Sequence, residues 1–352
     1  MRRRLEPPTG PIRLVIDTDA ANEIDDQFAL AWAFLSQDRF EIEGIHAAPF
    51  SFAHHRQALL AAHAENERHG SGAAPEVAVV GSYHQWARNL VASGTDPADV
   101  PFVGPDEGME LSYHEAVKVV ELMDEEPSGR VFRGSPGYLS SPGEPIHSEA
   151  ADALIERAMA DDERPLHVAA IGALTNIASA ILIEPRIIER IVVTWTSSYP
   201  SFSPLSNRPS LNLVQDLHAS RILFDCGVPH VYLPGFYIGA QLTISLPDVE
   251  RWVRGRGRIG DYLYELYTNN PIQRQRGITD QDDRTWVIWD LINFAWLLDP
   301  EWVPSELMPS PLLGDDLHWE HPDGRHLMRE AVGIDRDAIF RDFYRKLEQA
   351  PR

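Results

Sequence analysis

The sequence predicts an α/β protein with one domain, built on an open, mainly parallel sheet that is flanked by helices. Strand-like and helix-like segments alternate from the start of the chain, and the first strand-like segment is apolar on both faces. The 352 residues contain no internal repeat and no linker that would divide them. Such alternation implies parallel strands joined by right-handed crossovers, and a strand buried on both faces is typical of that sheet.

The first half of the chain supplies three predicted strands and three predicted helices. The strands cover residues 12–17, 41–47 and 77–80, and the helices cover residues 25–36, 54–69 and 112–123. Two stretches are rich in proline, glycine, serine or aspartate, so we predict long loops or insertions near 83–110 and 126–147. Long loops in a compact α/β domain are usually functional.

The second half continues the same alternation. Predicted helices cover residues 148–160, 216–225, 285–298 and 335–349, and another begins at 174. Predicted strands cover residues 166–171, 191–193 and 231–233. Because ligands of such sheets bind at the carboxyl ends of the strands, we expect the functional site at that edge.

Composition excludes several classes of partner. The net charge of −22 argues against nucleic acid or an anionic membrane. No apolar run approaches the length of a membrane span, and no apolar stretch of the kind found in a secretory signal follows the basic residues after Met1. Cys226 is the only cysteine, so no intrachain disulfide can form and a reducing compartment is plausible. We expect a soluble cytoplasmic protein.

The most informative segment is IRLVIDTDAANEIDDQ, where four aspartates follow one apolar strand: Asp17, Asp19, Asp25 and Asp26. Carboxylates crowded together repel one another unless a cation, a proton or a substrate hydroxyl holds them. The preference of helix N-termini for acidic residues explains Asp25 or Asp26 singly, but it does not explain the cluster. We therefore predict a hard cation with oxygen ligands.

The strand, the DTD sequence, the turn and the DD pair together resemble the signature of the nucleoside hydrolases, the inosine-uridine-preferring superfamily. Two further segments follow in the expected order. AIGALTNIA at 170–178 resembles the family's GPLTN turn, and IWDLINFAWLLDP at 288–300 resembles the helix that carries its last acidic ligand. A weaker match, PSLNLVQDLHAS at 209–220, resembles the sugar-binding EFN segment.

The resemblance implies a Ca²⁺ site at the bottom of a pocket. Its ligands would be Asp19, Asp26, Asp290 and the backbone carbonyl of Thr175. Ca²⁺ accepts both carboxylate and carbonyl oxygens, and these ligands leave room in its shell for water and a sugar diol. Asp17 would orient the turn by accepting backbone N–H bonds.

The implied reaction is hydrolysis of the N-glycosidic bond of a ribonucleoside, a small-molecule partner. Asp19 would be the general base, and Asp25 would accept the 2′-hydroxyl. Asn212 matches the family's asparagine in EFN and would hold another sugar hydroxyl, and Asn207 would serve as a second sugar-binding asparagine. Family members are usually dimers or tetramers, which makes a homodimer or homotetramer a candidate assembly.

The sequence also departs from the family pattern. The turn after Asp19 reads AANEI and is two residues longer than usual, and we expect Asn22 to cap the helix or form the turn. The role of Glu23 stays open. Ser210 stands where the family has its sugar-binding glutamate, and Ser51 stands near a missing asparagine.

The base-binding end departs as well. Trp289 precedes Asp290 where many members have a histidine that protonates the leaving base. A branch with purine preference has tryptophan there and stacks the base between aromatic rings, so the resemblance implies purine preference with Trp289 in contact with the substrate. Trp86 is a candidate second wall of the stack. His84 is a candidate acid or, on the simpler interpretation, a surface histidine.

Two other functions are compatible with the sequence. A phosphatase of the haloacid dehalogenase type would use Asp17 as nucleophile and bind Mg²⁺. Neither Lys118 nor Lys346, the only lysines, follows an apolar strand that could place it on a phosphate. The other alternative is a Ca²⁺-dependent nucleoside-binding or sugar-binding protein without turnover.

Overall fold

We describe the fold from a computed structural model, which covers residues 2–69, 83–278 and 284–351. The strand predicted at 77–80 lies outside these residues. Twelve strands are present in the described part of the chain. They are β1 Ile12–Thr18, β2 Phe40–Ala47, β3 Val131–Phe132, β4 Leu166–Ala170, β5 Ile191–Ser197, β6 His230–Pro234, β7 Thr243–Ser245, β8 Thr285–Val287, β9 Ser305–Pro309, β10 Leu312–Leu313, β11 Trp319–Glu320 and β12 Leu327–Ala331.

Thirteen α-helices accompany the strands in the same residues. They are α1 Asp25–Phe34, α2 His55–His69, α3 Tyr83–Ala92, α4 Pro105–Leu122, α5 Glu149–Ala158, α6 Thr175–Ile183, α7 Leu211–Val214, α8 Leu217–Asp225, α9 Leu246–Trp252, α10 Gly257–Thr268, α11 Pro271–Gln275, α12 Leu291–Leu298 and α13 Arg336–Leu347. No helix in the described ranges is both long and apolar enough to span a membrane.

Eight strands form the central sheet in the order β3-β2-β1-β4-β5-β6-β12-β9. Neighbouring strands are parallel except β9, which runs antiparallel to β12. The predicted α/β fold with a mainly parallel sheet is thereby confirmed. In the register, Asp17 of β1 lies opposite His46 of β2 and Ala170 of β4. The residues that follow these three strands therefore meet at one edge.

Helices cover both faces of the sheet and enclose two hydrophobic cores. Alternate side chains of β1 enter different cores, since Leu14 packs with Phe28 of α1 whereas Val15 packs with Ile177 of α6. All ten residues of α1 are buried. Its outer side is covered by α13, where Asp342 accepts a hydrogen bond of 3.0 Å from Trp32 Nε1. The helix that starts with Asp25 and Asp26 is thus fixed between two layers.

Two sequence predictions about local structure are wrong. The segment 83–110, predicted as loop or insertion, contains α3 and the start of α4, because Trp86 and Leu90 give α3 a buried face and Pro105 sits in the first turn of α4. The helix predicted over 285–298 begins only at Leu291. Residues 285–287 instead form β8, which pairs with β7. The loop near 126–147 contains only the two-residue strand β3, as expected.

Candidate functional site

A cavity of about 820 Å³ opens at the carboxyl ends of the central strands. Its lining comes from the β1–α1 turn, the start of α2, the end of β5, α7, the end of β6, and the β8–α12 turn. The sheet therefore brings together segments that are far apart in the sequence, as predicted for a ligand site in a parallel sheet.

The bottom of the cavity is formed by four aspartates, which we call the acidic floor: Asp19, Asp25, Asp26 and Asp290. None is more than 4% exposed. Asp25, Asp26 and Asp290 each offer a carboxylate oxygen, and these oxygens lie within 4.8 Å of one another. The carboxyl groups of Asp25 and Asp290 are close enough for each to influence the pKa of the other.

The electrostatics of the acidic floor favour a bound cation. Burial, followed by the charges of neighbouring carboxylates, raises the pKa values of Asp19, Asp25 and Asp290 well above their usual range. Burial also raises the pKa of Asp26 to about 7, although a hydrogen bond from Thr18 opposes the shift. A hard divalent cation would relieve this repulsion, and buried carboxylate oxygens are the ligands that it prefers. The donor set fits such an ion.

The two-residue extension of the turn holds Asp19. The backbone N–H of Asn22 donates to the Asp19 carbonyl at 2.9 Å, and its side-chain amide donates to Asp19 Oδ2 at 3.0 Å. Ala21 has the left-handed φ of 76°, which alanine rarely adopts. The helix cap at Ile24 has no side-chain hydrogen bond. Asn22 is therefore a turn residue and not the helix cap. Glu23 lines the cavity.

Behind the floor, Asp17 is completely buried and does not line the cavity. Its Oδ2 accepts a 2.9 Å bond from the side-chain amide of Asn176, so the prediction of backbone N–H donors is wrong. Burial raises the pKa of Asp17 to about 7. A nucleophile must reach its substrate, and this carboxyl group does not. The structure thus argues against the phosphatase alternative.

Asn176 connects three segments around the floor. Besides Asp17, its amide nitrogen contacts the Ala47 carbonyl at 3.1 Å, and its Oδ1 accepts a 2.8 Å bond from the backbone N–H of Ser135. Gly134 permits this approach, because a Cβ there would lie 1.8 Å from the Ala47 carbonyl oxygen. One buried amide thus ties the ends of β1 and β2 to the loop after β3.

Thr175 begins α6 and is fully buried. Its hydroxyl donates to Asp216 Oδ2 at 2.8 Å, and the same oxygen accepts a 3.0 Å bond from the backbone N–H of Leu139. Thr175 is not among the residues that line the cavity. A metal-binding role for its backbone carbonyl stays a prediction.

The structure separates the two predicted sugar-binding asparagines. Asn212 lines the cavity, and its amide nitrogen donates to the carbonyls of Ile171 and Thr196 at 3.0 and 3.2 Å. Its Oδ1 is thereby left to accept a bond from a ligand hydroxyl. Asn207 is fully buried away from the cavity: its Oδ1 accepts from Ser198 and Tyr199, and its amide donates to the Leu317 carbonyl. The structure does not support its expected sugar contact, because its hydrogen bonds fix a loop instead.

A group of rings that we call the aromatic wall lines the cavity: Phe52, His55, Tyr83 and Trp286. Phe52 stacks on His55 with ring centroids 5.8 Å apart, and His55 Nδ1 lies 2.7 Å from the Tyr83 hydroxyl. Burial, aided by the charges of His54 and Arg276, lowers the pKa of His55 to about 3. The imidazole is therefore neutral at physiological pH.

Trp289 also lines the cavity, where it meets Phe236 edge to face with ring centroids 6.0 Å apart. Trp86 does not reach the cavity. It stacks behind Tyr83, and its indole N–H donates to the Gln275 carbonyl at 3.0 Å. His84 lies 2.9 Å from Glu65 and is likewise outside the cavity lining. Of the aromatic residues singled out from the sequence, the structure brings only Trp289 to the site.

Several cavity residues were not predicted: Phe52, Tyr83, Arg208, Phe236, Arg276 and Trp286. Phe236 carries a usable signal, since it comes two residues after the end of β6. Phe52 follows β2 in the same way at a distance of several residues. Tyr83 belongs to α3, Trp286 belongs to β8, and Arg208 and Arg276 lie outside helices and strands. The sequence context of these four does not distinguish them from ordinary surface residues.

Comparisons with known proteins agree on one family. The model of the inosine-uridine preferring nucleoside hydrolase family matches residues 14–340. The probable uridine nucleosidase 2 of Arabidopsis thaliana is 22% identical over 140 residues, which is 39% of this chain and 43% of that protein. This match therefore spans less than half of the curated relative.

Two solved structures cover nearly the whole chain. A plant nucleoside hydrolase aligns with a TM-score of 0.61 and 17% identity, over 96% of this chain and 99% of its own. A purine-preferring ribonucleoside hydrolase from Gardnerella vaginalis aligns with a TM-score of 0.60 and 17% identity, over 96% and 98% of the two chains. At these identities the likeness establishes the fold.

Proposed function

The chain belongs to the inosine-uridine preferring nucleoside hydrolase family, and on that premise we propose that it is a Ca²⁺-dependent N-ribohydrolase that prefers purine nucleosides. The observation that carries the proposal is the acidic floor. Four buried carboxylates at the base of a cavity large enough for a nucleoside are the arrangement that a cation-dependent sugar site requires.

We assign the ion-binding role to Asp19, Asp26, Asp290 and the Thr175 carbonyl. Asp25 joins the same cluster of oxygens, so it would share the cation as well as face a sugar hydroxyl. Bound there, Ca²⁺ would supply a Lewis acid that lowers the pKa of water. Ca²⁺ is favoured over Mg²⁺ because Mg²⁺ demands a strict octahedral geometry and binds few protein oxygens.

The residues of the chain then have separate roles in hydrolysis of the N-glycosidic bond. Asp19 takes a proton from the attacking water onto its carboxylate, and the Asn22 amide holds that carboxylate in position. Asn212 Oδ1 accepts a sugar hydroxyl. The surrounding carboxylates stabilise the positive charge that develops on the sugar ring as the N-glycosidic bond breaks.

Purine preference rests on the rings that line the cavity. Trp289 lies directly before Asp290, so a base that stacks on its indole is attached to a sugar that lies at the floor. A purine offers more stacking area than a pyrimidine and gains more from this contact. The similar fold of the purine-preferring ribonucleoside hydrolase from Gardnerella vaginalis agrees with this assignment.

The test is release of free base from inosine, adenosine, guanosine and uridine, with saturating Ca²⁺ or after removal of metal by EDTA. We expect Ca²⁺-dependent release that is faster for purines, and a loss of about a thousandfold or more in kcat for Asp19→Ala. Asp161→Ala, at an exposed aspartate outside the cavity, is the matched control and should keep full activity.

Two results would contradict the proposal. Equal release with Ca²⁺ and with EDTA would exclude the metal requirement. Tight Ca²⁺ and nucleoside binding without release from any of the four nucleosides would identify a binding protein instead.

A further inference from the structure

Arg276 is a cavity residue that the proposed reaction does not use. It follows α11 directly and lines the cavity on the side of the aromatic wall. Its guanidinium lies over the Trp86 ring, 5.9 Å from the ring centroid, and its charge acts on His55. The arginine is thus fixed next to the rings and not among the carboxylates of the floor.

Arg276 is half-buried, and its guanidinium has few partners in the described part of the chain. Burial is the main influence on the pKa of Arg276 and lowers it, whereas Glu23 and Tyr83 raise it. Among the described residues no carboxylate oxygen lies within 4.0 Å of its nitrogens, and none of its N–H groups has a hydrogen-bond acceptor there. A guanidinium has five N–H donors and no acceptor, and those of Arg276 are open to the cavity. They can therefore bond to the acceptor atoms of a ligand there.

The neighbouring side chains restrict the shape of such a ligand. Phe52, His55 and Tyr83 present rings to the same part of the cavity, which suits a flat heteroaromatic ring. The planar guanidinium of arginine binds a flat ring best where two acceptor atoms are adjacent on one edge, because it can then donate two parallel hydrogen bonds. A 6-oxopurine has this edge, formed by O6 and N7.

We propose that Arg276 binds the O6 and N7 atoms of a 6-oxopurine, so that the substrates are inosine-like and guanosine-like nucleosides. This inference rests on the proposed function. Adenine presents N7 beside an amino donor that opposes the guanidinium, and uracil lacks the paired acceptors. Arg276 is therefore the specificity-determining residue of the base-binding end.

The same contact assists the reaction. Cleavage breaks the bond between C1′ and N9 and leaves its electron pair on the purine, where the negative charge spreads to N7 and O6. Water forms the new bond to C1′ and gives its proton to Asp19, and the departing base takes a proton from solvent. A cation at O6 and N7 stabilises the charge as it develops, which supplies the role of the missing histidine.

The experiment compares Arg276→Gln with wild type on inosine, adenosine and 4-nitrophenyl β-D-ribofuranoside. Wild type should prefer inosine to adenosine by about tenfold or more in kcat/KM. The variant should lose about tenfold to a hundredfold on inosine. It should stay within about twofold of wild type on the nitrophenyl riboside, whose leaving group is a stable anion without help.

Arg274→Gln is the matched control, since Arg274 is an exposed arginine of α11 outside the cavity lining. It should leave all three rates unchanged. Arg276→Lys keeps the positive charge but lacks the planar pair of N–H donors. It should therefore recover only part of the kcat/KM for inosine that Arg276→Gln loses. An equal loss on all three substrates, or a wild-type preference for adenosine, would overturn the inference.

Failure of the proposed function is recognised separately, because wild type would then release nothing even from the nitrophenyl riboside. In that case the binding of free hypoxanthine and adenine, followed by tryptophan fluorescence, decides the inference. Tighter hypoxanthine binding that is lost in Arg276→Gln supports the base-binding role. Equal affinity for the two bases in wild type refutes it.

Discussion

The acidic floor and the aromatic wall face the same cavity but are built differently. The floor aspartates follow β1 directly or open α1 and α12, and buried side chains fix them from behind. The rings of the wall come from α2, α3, β8 and the loop after β2, and three of them contact one another in series, Phe52 with His55 and His55 with Tyr83. The floor is fixed by the sheet, whereas the wall is fixed by peripheral segments.

Because of this difference, we expect the acidic floor to serve catalysis and the aromatic wall to serve the selection of the base. Residues at the ends of parallel strands keep their positions as long as the sheet forms, so they suit a reaction that needs exact placement. Peripheral helices and loops can change without disturbing the sheet. We therefore expect changes behind the floor to alter kcat and stability, and changes around the wall to alter the choice of base.

The largest expected effect comes from Asn176→Ala, which removes the side-chain amide that holds the segments behind the acidic floor together. The substitution removes three hydrogen bonds and leaves the buried Asp17 carboxyl without its partner. The free energy of unfolding should fall by about 3 kcal/mol. At a temperature where the variant is folded, kcat should fall by roughly tenfold to a hundredfold.

Denaturant unfolding and steady-state kinetics measure the two effects, with Asn269→Ala at an exposed asparagine as control. A stability loss without any loss of kcat would show that the amide supports only the fold, and the proposed link between sheet and floor would fail.

A smaller effect distinguishes two tryptophans, one in the cavity and one behind the wall. Trp289→Leu should lower kcat/KM for purine nucleosides by about tenfold, because a stacking contact with the base is lost. Trp86→Leu should lower stability, because it removes a buried ring and its hydrogen bond to Gln275. It should lower kcat/KM less than Trp289→Leu does, since Trp86 acts on the base only through Tyr83 and Arg276. The kinetics of both variants on inosine and uridine measure this difference. Similar kinetic losses in the two would contradict the placement of Trp86 behind the wall.

The smallest expected effect is a shift in the pH dependence of stability. Burial raises the pKa of Asp26 to about 7 from its ordinary value of 3.8. Without metal the folded state therefore binds an extra proton between these two pH values, and stability falls as pH rises from one to the other. Burial lowers the pKa values of His46 and His230 to about 3 from 6.5, so stability also falls as pH drops below 6.5. Ca²⁺ opposes only the loss of stability that accompanies deprotonation of Asp26.

Thermal unfolding from pH 5 to pH 8, with Ca²⁺ or with EDTA, tests this expectation. The melting temperature with Ca²⁺ should exceed that with EDTA by at least about 4 °C more at pH 8 than at pH 5. A difference that does not change with pH would mean that the floor carboxylates are not the ion-binding groups.

The sequence predicts the floor well and the wall poorly, for a physical reason. Asp19, Asp25 and Asp26 follow a strand whose apolar run identifies it, and the parallel arrangement then determines where they lie. Asp290 needed the family resemblance, since the strand before it, β8, reads as part of a helix. Arg276 and Tyr83 reach the cavity through the packing of α11 and α3, which local sequence does not encode.

The two predicted sugar-binding asparagines also show that local sequence does not determine which side chain reaches the cavity. Asn207 and Asn212 lie five positions apart, Asn207 in the loop before α7 and Asn212 in the first turn of α7. Spacing along the chain cannot tell that one bonds to the Leu317 carbonyl and the other to the ends of β4 and β5. Tertiary contacts decide which amide reaches the substrate.

The antiparallel strand β9 has a consequence for aggregation. It is the outermost strand on the β12 side of the described sheet, and Pro304 precedes it while Pro309 ends it. Pro309 lacks the N–H that an added strand would need at this edge, and the exposed Glu306 places a charge beside it. Growth of the sheet by edge-to-edge pairing is therefore disfavoured on this side, and subunits that assemble there would meet more readily through side chains than through a shared ladder of backbone hydrogen bonds.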